Sequence, residues 1–222
     1  MKKVLFLFFL TFDFIFANSL GLSKTDLIVL NKIKSLADEP IMKYSLMAIA
    51  IKETSVGKNM ANFQKYPKSS LGHLLKHYER SVDENGQHIR YGNQDIKTDL
   101  SSQNYNLGPD RDMDQLEFIK KRTSEVSCLN RKDVNVMCSW VVTLPKELPL
   151  DQEREFFEKT YDFLQKRYGG EENVISSYVH LDENRPHMHF SFVPVVQDKK
   201  KGHLKVSAKE AVNRIDLQKF HL

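Results

Sequence analysis

Residues 180–189 of this 222-residue chain read HLDENRPHMH. Runs rich in Val, Ile, Tyr and Phe flank this polar stretch, whose Asp, Asn and Pro residues are typical of turns. The pattern predicts two strands, Val174–Leu181 and Met188–Val196, which a short turn at 182–186 folds into an antiparallel hairpin. This hairpin is the centre around which the rest of the fold is predicted.

Three histidines lie beside the predicted turn. Side chains alternate between the two faces of a strand, so His187 and His189 share one face. His180 ends the preceding strand and is expected to lie across from this pair. Three converging imidazoles suit a divalent cation and leave coordination positions open for a substrate. We therefore predict a site for Mn²⁺, Mg²⁺ or Zn²⁺ at these histidines, and nitrogen ligands favour a transition metal over Mg²⁺. Asp182 and Glu183 are candidates to orient or join the ligands.

Hydrophobic periodicity predicts the elements around the hairpin. In chain order they are a strand Met60–Tyr66, helices Leu71–Arg80 and Met113–Val126, a strand Val134–Leu144, a helix Leu150–Tyr168 and a last helix from about Ser207. The polar residues 81–111 are expected to form mostly loop. Together they predict an α/β fold: an antiparallel sheet of about five strands, with the metal site on its central hairpin and flanking helices on the other face and at the edge. A small helical N-terminal appendage precedes this fold.

The first 59 residues have a different character. Lys2 and Lys3 precede the apolar run Val4–Ala17, which has the features of a secretory signal peptide and is too short for a stable membrane span. Residues 19–59 predict two helices. The second ends near Glu53 and a Gly-containing stretch, and this ending resembles the start of lytic transglycosylase domains. We expect three parts: a signal-peptide-like segment 1–18, a helical fragment 19–59 and a main domain 60–222.

The composition of the whole chain and its two cysteines indicate the class of protein. Hydrophobic residues make up 41% of the chain and charged residues 28%, which is typical of a globular protein. The 33 Lys and Arg outnumber the 29 Asp and Glu, and the net charge of +4 is compatible with a nucleic-acid partner without establishing one. Cys128 and Cys138 are too far apart for a CxxC motif, so we expect reduced thiols in a cytoplasmic domain. The signal-like N-terminus conflicts with that compartment, and Met1 and Met60 both stay open as the translation start.

Three blocks of sequence, in the same order, resemble motifs of a known family. The segment 180–189 resembles the metal-binding motif of the Mob/Pre family of plasmid mobilisation relaxases, within the HUH endonuclease superfamily. Residues 71–80, LGHLLKHYER, are similar to the first motif of that family, and residues 103–107, QNYNL, are similar to its second. The resemblance runs from about Met60 to Leu222, where relatives usually continue, so we expect a C-terminally truncated relaxase domain.

The resemblance implies a reaction and its residues. Enzymes of this family nick and rejoin one DNA strand at a plasmid transfer origin through a covalent protein–DNA intermediate, for mobilisation or DNA recombination. The histidine nucleophile of the first motif falls on His77. Tyr78 is the second candidate, because a tyrosine is the nucleophile in most other HUH relaxases. Glu79 or Glu183 is the expected acceptor that holds the second imidazole nitrogen.

The same resemblance implies DNA contacts and partners. Lys76, Arg80, Arg131 and Lys132 are expected to contact phosphates, and Tyr105 is expected to stack on a base or, less favoured, to act as nucleophile. The expected partners are plasmid DNA at the transfer origin and a coupling protein of a conjugation system. Two alternatives stay open: a truncated DNA-binding domain without catalysis, and an exported cell-wall hydrolase acting through the glutamate at the end of the helical fragment. The hydrolase lacks the opposed walls that hold a sugar.

Overall fold

The computed structural model describes residues 61–89, 96–146 and 148–212. The predicted signal-like segment and the helical fragment with Glu53 precede these residues and lie outside the described part of the chain. Across the described ranges, no helix combines the length and the apolar character that crossing a bilayer requires.

The main sheet has five antiparallel strands among the described residues, in the order β1-β3-β5-β4-β2. The strands are β1 (Ala61–Pro67), β2 (Tyr105–Asn106), β3 (Asn135–Thr143), β4 (Val174–His180) and β5 (His187–Phe192). The predicted hairpin is β4–β5, with its turn between His180 and His187, which pair directly. The predicted α/β class and the five-stranded antiparallel sheet are confirmed.

Four α-helices are described, and they cover both faces of the sheet. They are α1 (Leu71–Glu79), α2 (Gln115–Ser124), α3 (Glu153–Arg167) and the short α4 (Ala208–Ala211). The Tyr78 hydroxyl of α1 lies 3.0 Å from Ser139 Oγ, and Ser139 pairs with Ser191, two residues from His189 on the same face of β5. α1 therefore packs on the histidine face, where helices were not predicted.

Aromatic packing fixes α3 on the opposite face. Tyr168, at the end of α3, stacks on Phe192 with ring centroids 4.0 Å apart, and Trp140 Nε1 donates to the Tyr168 hydroxyl at 2.9 Å. Tyr161 of α3 meets Phe190 edge to face. Burying each of these large side chains stabilises the fold by on the order of 1.5–3 kcal/mol. This packing fixes the hairpin strands on the face opposite the histidines.

The structure departs from the predicted elements at two places. The polar stretch predicted as loop contains β2 and a 3₁₀ helix at Thr98–Gln103, because the side chains of Asn104 and Asn106 accept hydrogen bonds from backbone N–H groups of β4 and its turn. The predicted strand Met188–Val196 breaks at Pro194, which has no N–H to donate. Beyond it, β6 (Val195–Gln197) pairs with β7 (Leu204–Val206) in a separate hairpin.

Candidate metal and nucleophile site

Four imidazoles converge at the turn end of the β4–β5 hairpin. His180 and His187 face each other across the hairpin with ring centroids 5.3 Å apart, and His189 lies 4.8 Å from both. His77 reaches the cluster from α1, at 5.7 Å from His180 and 5.8 Å from His189. The structure therefore brings together the three predicted ligands and the predicted nucleophile.

Backbone carbonyls set the tautomers of two of these rings. His180 Nε2 lies 2.9 Å from the carbonyl oxygen of Tyr78, and His187 Nδ1 lies 2.9 Å from that of Arg185. A carbonyl oxygen only accepts, so these nitrogens carry the protons and leave lone pairs on His180 Nδ1 and His187 Nε2. His180 Nδ1 is buried without a hydrogen-bond partner. Both lone pairs are thus available to a cation.

The spacing of these nitrogens fits a divalent transition metal. His187 Nε2 and His189 Nε2 are 3.0 Å apart. Two ligands held at right angles by metal–nitrogen bonds of about 2.1 Å have this separation. The ligand atoms of His77, His180 and His189 all lie within 4.8 Å of one another, and so do those of His180, Glu183 and His187. The residues present fit a metal ion.

Burial favours the neutral form of His77, His180 and His189. It lowers the pKa of His180 to about 3, with the positive charge of Arg80 acting in the same direction. Burial also lowers the pKa of His189 well below its ordinary value, helped by the neighbouring histidines. The pKa of His77 is lowered by burial first and by Arg80 second. Neutral imidazoles are the form that binds metal ions and that attacks electrophiles.

Arg80 ties α1 to the turn of the hairpin. Its Nε and Nη2 donate to the two carboxylate oxygens of Asp182, each at 2.9 Å, and Nη2 also donates to Glu183 Oε1 at 2.5 Å. Its Nη1 donates to the backbone carbonyl of His77 at 2.9 Å. With φ of 54°, Arg80 is the one non-glycine residue with a positive φ in the described ranges. This strained conformation is held by a fully saturated guanidinium.

Asp182 is the anchor of this arrangement. It is completely buried and also accepts a hydrogen bond from Ser101 Oγ at 2.6 Å. Burial alone raises the pKa of the Asp182 carboxyl, but the hydrogen bonds from Arg80 and Ser101 hold it well below the ordinary value. A carboxylate in this setting stays charged and depends on its partner.

We expect Arg80→Ala to lower the free energy of unfolding by about 3–5 kcal/mol, because it leaves the Asp182 carboxylate buried without its cation. Denaturant unfolding at neutral pH measures this. The depressed pKa of Asp182 means that the ion pair stabilises the fold above the ordinary aspartate pKa of 3.8 and that this contribution is lost as the pH falls further. The matched control is Arg131→Ala, whose exposed pair with Asp133 is worth about 0–1 kcal/mol. Equal losses in both variants would contradict the assignment.

A family model and individual relatives identify the chain. The model described as "Plasmid recombination enzyme" (Mob_Pre) matches residues 56–222. The chain belongs to this family. It is 32% identical over 161 residues to a plasmid recombination enzyme of Bacillus thuringiensis, and 34% identical over 143 residues to one of Streptococcus agalactiae. These alignments cover 70% and 61% of this chain but only 34% and 28% of the relatives, so the chain spans about a third of their length.

Solved structures agree with the family. The MobM relaxase domain (MOBV; Mob_Pre), in a Mn-bound crystal structure with plasmid pMV158 oriT DNA, has a TM-score of 0.58 and 33% sequence identity to this chain. The match covers 71% of this chain and 78% of that domain. The same domain bound to a 22-nucleotide oriT DNA, in a Mn-bound crystal structure at pH 5.5, gives a TM-score of 0.57. The fold seen here is the fold of a Mob/Pre relaxase domain.

The structure separates the two candidate nucleophiles of the first Mob/Pre motif. His77 is half-buried at the mouth of the cluster, whereas Tyr78 is 1% exposed and points into the core. The Tyr78 ring stacks on His189 at 4.3 Å, and burial raises the pKa of its hydroxyl, which is bonded to Ser139. Adjacent helical residues point about 100° apart, which explains the difference. Tyr78 is therefore a buried packing residue against His189.

Tyr105 of the second Mob/Pre motif lies on the other face of the sheet. It pairs with Val179, whose side chain points away from the face that carries His180. The Tyr105 hydroxyl donates to Glu153 at 2.6 Å, and the Arg154 guanidinium lies 4.7 Å from the ring centre. This placement does not suit the expected role of Tyr105 as nucleophile.

The two predicted carboxylates occupy different places. Glu183 lies 3.8 Å from His180 Nδ1 and 3.9 Å from His187 Nε2, inside the cluster. Glu79 accepts hydrogen bonds from Gln115 Nε2 and from Ser81 on the far side of α1. The group that contacts His77 Nδ1, at 3.1 Å, is the donor Arg80 Nη1 and not the expected acceptor. Of Glu79 and Glu183, only Glu183 is at the site. It does not contact His77 directly, but both residues bind the Arg80 guanidinium.

The predicted DNA contacts are only partly brought to the cluster. Lys76 is exposed on α1 beside His77. Arg80 was expected to clamp phosphates, but it is 9% exposed and saturated by protein acceptors, so that expectation does not fit. Arg131 and Lys132 are exposed before β3, whose far end pairs with His187. Nine strand residues at about 3.3 Å each place them roughly 30 Å from the metal end.

Sequence reasoning missed several residues that support the site. Ser101 and Asn104 bind the hairpin turn, and Gln115 binds the end of α1. Asn104 lies within the QNYNL block and Ser101 lies two residues before it, which was a usable signal for these two. Gln115 had no local signal, because an amphipathic helix pattern does not reveal what its first residue contacts.

Proposed function

We propose that this chain is a metal-dependent relaxase of the HUH type. It nicks one DNA strand at a plasmid transfer origin and rejoins it through a covalent intermediate, for plasmid mobilisation or recombination. The observation that carries the proposal is the cluster of His77, His180, His187 and His189, in which backbone carbonyls leave the lone pairs of His180 Nδ1 and His187 Nε2 available to a cation. The names of the relatives and the Mn-bound oriT complex of the MobM domain support it.

The metal would be held by His180, His187 and His189, with Glu183 beside them. Nitrogen ligands favour a transition metal over Mg²⁺, and the Mn-bound structure of the MobM domain makes Mn²⁺ the first candidate, ahead of Zn²⁺. When bound, such an ion stabilises the negative charge that develops on the phosphate oxygens during displacement. Tyr78 supports the ligands from below: its carbonyl fixes His180 and its ring packs against His189.

His77 would act as the nucleophile. Burial and Arg80 lower its pKa, so the ring is neutral at neutral pH and keeps one lone pair. That pair accepts a hydrogen bond from Arg80 Nη1 before DNA binds, so the attack must break this contact. The pair then forms a nitrogen–phosphorus bond while the bond between phosphorus and the 3′-oxygen breaks. The leaving 3′-oxygen takes up a proton, and the ring N–H releases one, so the nick conserves protons overall. The freed 3′-hydroxyl later attacks the same phosphorus, expels the imidazole and reseals the strand.

Glu183, linked to His77 through Arg80, would stabilise the charge that develops on the His77 ring. The guanidinium bridges the His77 ring and the Glu183 carboxylate, with Nη1 on one and Nη2 on the other. As positive charge develops on the ring during the attack, the nearby carboxylates of Glu183 and Asp182 stabilise it until the ring proton leaves, since both raise the pKa of His77. Glu183 is the proposed acceptor for the ring proton, and Lys76 is the proposed phosphate contact beside the nucleophile.

Plasmid DNA at a transfer origin is the proposed partner, in the cytoplasm, with a coupling protein of a conjugation system as a further proposed partner. The experiment is to incubate the full chain with supercoiled plasmids that carry transfer origins, beginning with that of pMV158. We expect relaxed plasmid in Mn²⁺ and none in EDTA, with activity restored when Mn²⁺ is added back. Origin binding without relaxation in any divalent metal would favour the non-catalytic DNA-binding alternative.

A further inference from the structure

A chain of hydrogen bonds, partly buried at Glu79 and buried beyond it, links α1 to the two strands of the metal hairpin, on the side of α1 away from the His77 ring. Gln115, the first residue of α2, is 9% exposed and lies at its centre. Gln115 Nε2 donates to Glu79 Oε1 at 2.5 Å, and its Oε1 accepts from Ser176 Oγ at 2.6 Å. Ser176 Oγ in turn lies 3.0 Å from Ser191 Oγ.

The donor and acceptor groups of these residues fix the direction in which each hydrogen bond donates. A carboxylate only accepts, so the amide nitrogen of Gln115 must face Glu79, and its oxygen must then face Ser176. Ser176 uses its single O–H on Gln115, which makes Ser191 the donor to Ser176. Every hydrogen bond therefore donates toward Glu79, and such aligned chains strengthen one another in a buried setting.

The hydrogen-bond chain joins the helix and the two strands whose relative positions the reaction depends on. Glu79 is the last residue of α1, two positions after His77. Ser176 lies on β4 four positions before His180, and Ser191 lies on β5 two positions after His189. Gln115 therefore connects the helix that carries the nucleophile to both strands that carry the metal ligands.

We propose that Gln115 is a positioning residue for strand nicking, and that Glu79 acts through Gln115 rather than as a proton acceptor. The inference rests on the proposed relaxase function. Gln115 sets the distance of α1 from β4, and with it the distance between His77 and the metal ligands. A displacement of about 1 Å at a reacting group is enough to slow a reaction about 100-fold.

The test measures the single-turnover nicking rate of the full chain on an origin oligonucleotide at saturating DNA and Mn²⁺. Gln115→Ala and Glu79→Ala are expected to lower this rate about 10- to 100-fold, with the affinities for DNA and for Mn²⁺ unchanged. Glu79→Gln keeps an acceptor for the Gln115 amide and is expected to retain the parental rate. Gln152→Ala, an exposed glutamine just before α3, is the matched control and should behave as the parent.

Two results would overturn the inference. One is a parental rate in Gln115→Ala. The other is a loss in Glu79→Gln as large as in Glu79→Ala, because a positioning carboxylate tolerates the amide whereas a proton acceptor does not.

Hydrogen exchange of the unliganded chain tests the inference without any activity. In Gln115→Ala, faster exchange confined to the backbone amides of α1, with β3 unchanged, supports the positioning role. Unchanged exchange in α1, or faster exchange throughout the sheet, overturns it. If the parent chain nicks no origin, the proposed function fails, and the exchange result still decides whether Gln115 holds α1.

Discussion

His77→Ala is expected to abolish the covalent protein–DNA adduct and to lower the nicking rate by at least about 1,000-fold, because removal of a nucleophile leaves only binding and charge stabilisation. The reason is geometric: His77 is the ring on α1 that reaches the histidine cluster while staying half-buried at its mouth. The measurement is a denaturing gel of a labelled origin oligonucleotide after incubation with the full chain and Mn²⁺.

Tyr78→Phe is the matched control for this prediction. It removes only the hydroxyl that bonds Ser139 and keeps the ring that packs on His189. The adduct should therefore form, with a rate close to that of the parent. An adduct that survives in His77→Ala and disappears in Tyr78→Phe would reverse the assignment and identify the tyrosine as the nucleophile.

His187→Ala is expected to weaken Mn²⁺ binding by at least about 100-fold and to bring nicking to background, since even the loss of a residue that only supports a ligand costs 10- to 100-fold. The lost atom is Nε2, which lies 3.0 Å from His189 Nε2. Calorimetric titration with Mn²⁺ measures the affinity. His203→Ala, an exposed histidine just before β7, should bind Mn²⁺ as the parent does. Equal Mn²⁺ affinity in both variants would remove His187 from the ligand set.

The hairpin and its histidines could be predicted because the information is local. Alternation places His187 and His189 on one face whatever the rest of the chain does, and the short turn returns His180 to them. The choice between His77 and Tyr78 was not local. It depends on which side of α1 packs on the sheet, and only the contact of Tyr78 with Ser139, 61 residues away, decides it.

The support of the site depends on pairs that are distant in sequence. Arg80 and Asp182 are 102 residues apart, and nothing in either segment marks them as partners. An arginine beside the predicted nucleophile of a plasmid recombination family is expected to bind phosphate, but the guanidinium of Arg80 is buried and does not fit that expectation. Glu79 and Glu183 were equivalent candidates for the same reason: the sequence gives the residue type but not the side of α1 on which each carboxylate lies.

The most direct test of the account is to locate the DNA on the protein. The full chain is incubated with Mn²⁺ and an origin oligonucleotide, digested with protease and nuclease, and analysed by mass spectrometry. We expect the nucleotide on the peptide that contains residues 71–80, attached to His77 through an acid-labile nitrogen–phosphorus bond. A nucleotide on Tyr78 or Tyr105, or nicked DNA with no protein attached, would contradict the account.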